Sequence, residues 1–215
     1  MTRMSSGVRP ALVLLATAGL ALLACQQSYM PINLYYDVAV RATGGGGKQI
    51  ALVKFADMRE DVDSVVFECN STREVVGRAR IPGQDAGAWV TNALAAELSQ
   101  GGFRVATYSD APGAGEPVVV TGELYEMYYE WHKPVTQYCC WWIALIGSAW
   151  ETTRSWVKVQ VTVEKGGIPI ISSQYMGRAS KSGSANRQDV ELSLDKALQD
   201  LMKKLVPDVV AAAGL

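Results

Sequence analysis

The chain has 215 residues, of which 49% are hydrophobic, with 20 Lys and Arg against 21 Asp and Glu. A balance so close to neutral lacks the basic surface that nucleic-acid binding requires, and we expect no nucleic-acid partner. The length suits a single domain with tails, large enough for a real hydrophobic core.

The first 24 residues have the pattern of an export signal. Arg3 and Arg9 precede the apolar run "ALVLLATAGLALLA", which ends at Ala24. A helical span of a bilayer needs about 20 apolar residues, so this run is too short to cross. A basic start followed by a short apolar run is typical of a cleaved signal peptide, which we assign to residues 1–24.

The end of this signal, Leu22-Leu23-Ala24-Cys25, resembles the lipobox of bacterial lipoproteins. In that family the signal is removed before the cysteine, whose thiol carries a diacylglycerol. The resemblance implies that Cys25 is the lipidation site and that residues 25–48 form a lipid anchor and tether. Two or more acyl chains hold a protein firmly on a membrane. Gln26, by the same resemblance, implies the periplasmic side of the outer membrane. An ordinary secretory signal with a chance cysteine is the alternative.

The mature chain from Cys25 keeps 18 basic and 21 acidic side chains, because the signal contains two arginines and no acid. Its net charge is about −3. It also keeps Cys69, Cys139 and Cys140, and an exported protein is in a compartment that permits disulfides. Three is an odd number, so one thiol is left over or pairs between molecules, and the pairing stays open.

Residues 49–215 are predicted to form one α+β domain. The stretch "KQIALVKFAD" predicts a strand, and residues 57–84 read as a polar excursion with room for a short strand at "SVVFEC". The clearest helix follows Asp85, its expected cap, and ends at Gly101-Gly102. Its apolar stripe includes Val90, Leu94 and Leu98.

The second half of the chain predicts four more strands and a helix. Strands are expected at 103–109, at 118–131, at 152–164 with clean apolar–polar alternation, and after the Gly166-Gly167 turn. The last segment is an amphipathic helix with the stripe Leu194, Leu198, Leu201 and Leu205.

The order β-α-β-β-β-β-α predicts a two-layer sandwich. We expect a mixed four- to five-stranded sheet with both helices on one face. The helix between the first two strands allows a right-handed crossover, and hairpins are expected to join the later strands.

The segments "FADMRED", "VVGRARIPGQDAGAWVTNALAAELSQGGFRV" and "VVVTGELYEMYYEW" resemble the YajG-like lipoproteins of Gram-negative bacteria. The shared features are the Asp57-x-Arg59 strand end, the Gly-aromatic step after the helix and the Thr121-Gly122 pair. The resemblance implies the anticodon-binding-domain-like fold, also found in the TolB N-terminal domain, in PelC and in the curli export lipoprotein. That fold has many functions and does not by itself define one.

No pattern of catalytic residues is evident. The one histidine, His132, has no neighbours at metal-ligand spacing, and adjacent Cys139-Cys140 do not form a C-x-x-C redox motif. No nucleotide-binding or nucleophile motif is present. Asp57 and Arg59 are expected to form a strand-end salt bridge or a loop cap rather than a catalytic pair. We therefore predict no enzyme activity, no metal and no cofactor.

The apolar stretch "YCCWWIALIGSAW", Tyr138 to Trp150, lies in an insertion at about 132–151, between the third and fourth predicted strands. A hairpin loop of two to five residues would suffice there. The insertion could cover the helix-free face of the sheet, bind another protein or a second copy, or enter the bilayer interface, which tryptophan favours. We predict that Trp141, Trp142 and Trp150 act together as a contact surface.

These features predict a non-enzymatic outer-membrane lipoprotein that faces the periplasm. Its expected role is that of an accessory or assembly component of a cell-envelope system, with an envelope protein or its own copies as partner and membrane lipid bound through acylated Cys25. The alternative is a lipid- or small-molecule-binding lipoprotein with the aromatic loop as a lid. A closed cavity would favour the binder and a protruding apolar surface the assembly component.

Overall fold

A computed structural model describes residues 29–40, 42–69, 74–110, 112, 118–132, 152–182 and 186–214. This part of the chain contains two helices, α1 (Ala86–Gln100) and α2 (Arg187–Gly214). It also contains nine strands: β1 (Tyr29–Pro31), β2 (Gln49–Val53), β3 (Ala56–Asp57), β4 (Ser64–Cys69), β5 (Glu74–Arg80), β6 (Arg104–Tyr108), β7 (Val118–His132), β8 (Thr152–Lys165) and β9 (Ile168–Ser182).

All nine strands belong to one mixed sheet organised around the long strand β7. One edge of β7 pairs antiparallel with β8, which in turn pairs antiparallel with β9. The other edge of β7 pairs in parallel with three short strands, β2, β3 and β4, which follow one another along its length. Outside these short strands, β6 pairs with β2, β5 with β4, and β1 with β5.

The α+β class is confirmed, but the predicted count of four to five strands is wrong. The short strand predicted at "SVVFEC" is present as β4, whereas β3, β5 and the upstream strand β1 were not predicted. Short strands that each pair with part of a longer one have too few residues to produce a clear local periodicity. The hairpins β7–β8 and β8–β9 are as predicted. Strand β6 does not form a hairpin with β7, because β2 lies between them and is parallel to both.

The two helices lie on one face of the sheet, as predicted. Helix α2 packs over β7, β8 and β9, helix α1 packs over β2, β3, β6 and β7, and the helices contact each other. The alternating valines of β8 point into this layer and are buried, as are Leu94 and Leu198. The predicted helix signals are also confirmed. Asp85 Oδ1 accepts a hydrogen bond of 2.9 Å from Ala88 N, and Gly102 follows α1 with a φ of 84°.

One glycine sets how closely α2 approaches the sheet. A Cβ atom on Gly177 of β9 would lie 2.0 Å from the Ala197 carbonyl oxygen and 2.5 Å from Leu201 N. Since both atoms belong to the helix backbone, a side chain could not be accommodated by a rotamer change. The absence of a side chain at Gly177 therefore permits the contact between α2 and β9.

Candidate interaction surface

The β7–β8 hairpin brings the two attachment points of the apolar insertion together at one end of the sheet. His132, at the end of β7, pairs in register with Thr152, at the start of β8, so residues 133–151 connect these two positions. We call this the hairpin end of the sheet. The insertion itself is outside the described residues, and so is the predicted lipid site. These undescribed positions include Cys25, Cys139, Cys140, Trp141, Trp142 and Trp150.

The described chain also begins towards the hairpin end. Tyr29 pairs with Arg78 of β5, which pairs with Val66 of β4, which pairs with Tyr128 of β7. Strand β1 runs opposite to β7, so its first residue, Tyr29, is the β1 residue nearest the hairpin end. The points where residues 1–28 and residues 133–151 attach to the described chain therefore lie towards the same end of the sheet.

The face of the sheet opposite the helices, which we call the outer face, carries an aromatic pair. The rings of Tyr128 and Trp156 stack with centroids 4.2 Å apart and an interplanar angle of 21°. Trp156 Nε1 donates a 2.9 Å hydrogen bond to Glu126 Oε2, and Lys158 Nζ lies 2.9 Å from Glu126 Oε1. The lysine ammonium lowers the pKa of Glu126, and the indole N–H contributes in the same direction.

Beside this aromatic pair runs a groove of about 700 Å³ that is open to solvent, which we call the outer groove. Arg154 and Arg178 line it and are exposed, and neither forms an ion pair with any described residue. Glu130 is directly opposite Arg154 in the strand register and also lacks an ion pair within the described part of the chain. Its other lining residues are Glu126, Ser155, Trp156, Met176, Ala179 and Ser180.

On the opposite side of the domain, residues 32–40 form a strap against the two helices. Glu97 of α1 is fully buried and binds the strap through its carboxylate. Its Oε1 accepts hydrogen bonds from Tyr36 Oη, from Ala39 N at 2.8 Å and from Val40 N at 3.0 Å. Burial, followed by the hydrogen bond to Glu97, raises the pKa of the Tyr36 hydroxyl. A buried carboxylate thus satisfies three donors of a segment without regular structure.

Helix α2 holds the strap in the same way. Asp195 Oδ1 accepts a 3.0 Å hydrogen bond from Asp37 N, and Gln199 Nε2 donates to the Asp37 carbonyl at 3.1 Å. Asp195 and Gln199 are both buried. Burial raises the pKa of the Asp195 carboxyl, and the negative charge of Asp37 adds to this effect. The strap therefore ties together α1, α2 and the chain that leads towards Cys25.

Asp57 and Arg59 form the predicted strand-end salt bridge. Arg59 Nη2 lies 2.6 Å from Asp57 Oδ2, and Arg59 Nε donates to Asp57 Oδ1 at 2.8 Å. The same Nη2 donates to the Val62 carbonyl at 2.8 Å. The pair closes the loop that follows β3, which is a structural role.

Cys69 is the one predicted disulfide partner within the described residues. It ends β4, where it pairs in register with Trp131 of β7 and with Glu74 of β5. This position is close to the hairpin end, where residues 133–151 join the domain. A disulfide among Cys69, Cys139 and Cys140 stays a prediction, with its pairing open.

Two further features of the described residues bear on function. Neither α1 nor α2 combines the length and hydrophobicity of a membrane-spanning helix. No group of three or more His, Cys, Asp or Glu side chains in the described ranges is arranged to hold a metal ion.

Sequence reasoning missed the outer groove and the residues that hold the strap. The sequence contains one signal for the groove and one for the strap. Trp156 occupies a polar position in the alternation of β8, which places a large aromatic side chain on the outer face. Glu97 is next to Leu98 in the apolar stripe of α1, where a charge needs a buried partner.

No family model matches the chain, and no curated protein is similar to it in sequence. Solved structures do share its architecture. A DUF330 protein from Xanthomonas campestris aligns with a TM-score of 0.60 at 11% identity, over 86% of this chain and 96% of the other. At that identity the likeness shows a common fold.

Two other solved structures align less closely. A candidate lipoprotein from Caulobacter crescentus gives a TM-score of 0.36 at 9% identity, over 60% of this chain and 83% of the other. PelC from Paraburkholderia phytofirmans, solved as a dodecamer, gives a TM-score of 0.38 at 17% identity, over 76% of this chain and 93% of the other.

Proposed function

We propose that this chain is a non-enzymatic lipoprotein of the outer membrane that faces the periplasm as an accessory or assembly component of a cell-envelope system. The observation that carries the proposal is that residues 1–28 and residues 133–151 attach to the described chain towards the same end of the sheet. Cys25 precedes Tyr29 by four residues, which span at most about 14 Å when extended. An acyl anchor on Cys25 would therefore hold the hairpin end close to the membrane.

This placement gives the tryptophan-rich insertion a function. Trp141, Trp142 and Trp150 would be presented at the membrane surface, where they can meet the bilayer interface or a partner protein anchored there. The sequence contains no recognisable pattern of catalytic residues, which is consistent with a role in binding rather than in catalysis.

The lipid anchor is tested by replacing its cysteine. Cys25→Ser should abolish incorporation of a radiolabelled fatty acid and release the protein from the membrane fraction. A variant that still incorporates the label would exclude Cys25 as the lipid site.

The contact role is tested by replacing Trp141, Trp142 and Trp150 with Ser. We expect weaker recovery of envelope partners or copies in a detergent pull-down, with a nearly unchanged melting temperature. Tyr125→Ser, at an exposed aromatic residue of β7, is the matched control. A large drop in melting temperature would instead identify the insertion as part of the hydrophobic core.

A second candidate function is that of a lipid- or small-molecule-binding lipoprotein, with the outer groove, an open cleft rather than a closed cavity under the aromatic loop, as its binding site. Its volume of about 700 Å³ is within the range of ligand sites. The two functions are compatible, because the groove lies on the outer face and the tryptophans are in the insertion.

A further inference from the structure

We infer that the outer groove binds the headgroup of a phospholipid that carries both a phosphate and an amine. The inference rests on the proposed membrane anchoring at Cys25, which would bring the groove near a lipid surface.

The two arginines supply the phosphate site. Arg178 is directly opposite Trp156 in the β8–β9 register, and Arg154 is two residues before Trp156 on the same face of β8. Diagonal neighbours on a sheet are about 7–8 Å apart at their Cα atoms, within reach of two long side chains that converge on one group. Guanidinium groups bind phosphate oxygens in a bidentate manner, and neither arginine side chain has a carboxylate partner in the described part of the chain. Arg178 Nε donates to Met176 Sδ at 3.0 Å, so its Nη groups are the ones offered to a phosphate.

Glu130 supplies the amine site. It is directly opposite Arg154 across β7 and β8, yet forms no ion pair with a described residue. By contrast, Glu126 is already bound to Lys158 and Trp156. The phosphate and the amine of such a headgroup are separated by a two-carbon link, so their binding groups must be close neighbours, as Glu130 and Arg154 are.

The aromatic pair supplies the apolar wall. Trp156, stacked on Tyr128, and Met176 both line the groove and are partly buried. These side chains can pack against the glycerol and the first methylene groups of an acyl chain, which favours a lipid over a free metabolite. The wall also offers an aromatic surface to the amine.

The location of the groove suits a lipid ligand. Its lining residues on β7 and β8 are within six positions of His132 and Thr152, which form the hairpin end. Because the predicted anchor attaches to the described chain towards the same end, a lipid could enter the groove without leaving the membrane surface entirely.

The test is native mass spectrometry of the acylated full-length mature protein released from nanodiscs. The nanodiscs contain equal amounts of phosphatidylcholine, phosphatidylglycerol and phosphatidylethanolamine. We expect one phosphatidylethanolamine to be retained preferentially. Combining Arg154→Gln with Arg178→Gln should lower its retention about tenfold, as the loss of one strong charge-assisted contact would. Arg104→Gln, which removes an exposed charge on β6, should have no effect.

Glu130→Gln separates the two halves of the headgroup. It should remove the preference for phosphatidylethanolamine over phosphatidylglycerol while retaining phospholipid binding. Equal retention of the three lipids by the wild type, or unchanged retention by the double arginine variant, would overturn the inference. A melting curve establishes that each variant is folded.

The two proposals fail separately. If the protein shows no preferential lipid retention but is labelled normally with fatty acid at Cys25, phospholipid binding in the outer groove is refuted and the lipoprotein proposal stands. Absence of fatty-acid labelling would refute the anchor before any lipid measurement is made.

Discussion

The strap offers the sharpest test of how this domain is held together. Glu97 accepts hydrogen bonds from Tyr36 Oη and from the backbone N–H groups of Ala39 and Val40, and no water-exposed surface remains on its side chain. Glu97→Ala would leave these donors without their acceptor and open a cavity under the strap. Each hydrogen bond to a charged group contributes about 1.5–3 kcal/mol, and the donors are only part-buried. We therefore expect a loss of about 3–5 kcal/mol in the free energy of unfolding.

Two milder variants divide this loss into parts. Glu97→Gln keeps the shape and one acceptor oxygen, and should cost about 1–2 kcal/mol. Tyr36→Phe removes one donor and leaves the two backbone contacts, and should cost about 1 kcal/mol. Combining Tyr36→Phe with Glu97→Ala should cost less than the sum of the two, because both remove the same contact.

The assay is urea unfolding, together with limited proteolysis of the native protein. Glu97→Ala should expose residues 32–40 to cleavage earlier than wild type. A change of less than about 0.5 kcal/mol, the size of an ordinary surface substitution, would refute the claim that Glu97 holds the strap.

Three further predictions concern the helix layer. Leu94→Ala and Leu198→Ala should each lower the free energy of unfolding by about 2–5 kcal/mol in chemical denaturation, and a change near zero would contradict the assigned core. Gly177→Ala should cost about 1–3 kcal/mol by forcing a Cβ atom into the α2 backbone, and an unchanged melting temperature would show that the contact is looser than described. The raised pKa of Asp195 means that the folded state holds its proton more tightly than the unfolded state. Stability relative to Asp195→Asn should therefore fall as the pH rises from the ordinary value of 3.8 through the raised folded pKa, and parallel pH profiles would contradict this.

The elements that the sequence predicted well are those whose signal is local. Alternation along β8, the cap at Asp85 and the glycine pair after α1 each depend on residues a few positions apart. The same is true of the apolar stripes that contain Leu94 and Leu198, since a helix or strand repeats its own pattern whatever it packs against. The Asp57–Arg59 salt bridge was also predictable, because its two partners are two residues apart.

The order of the strands in the sheet depends on pairings between distant segments. Residues 64–69 and 74–80 become strands because β7 extends beyond β2 and leaves an edge for β4. Nothing in their own spacing specifies that partner, since β-propensity depends strongly on neighbouring strands.

The sequence by itself determined the class of fold, both helices and the position of the tryptophan-rich insertion between two strands, and the export signal stays a prediction from it. Only the tertiary structure decided that residues 1–28 and 133–151 attach to the described chain towards one end of the sheet, because that depends on the direction of β1 relative to β7. It also decided that Glu97 holds the strap and that Arg154, Arg178 and Glu130 share a groove. Such clusters arise from long-range packing and strand register, which bring together side chains that no sequence spacing relates.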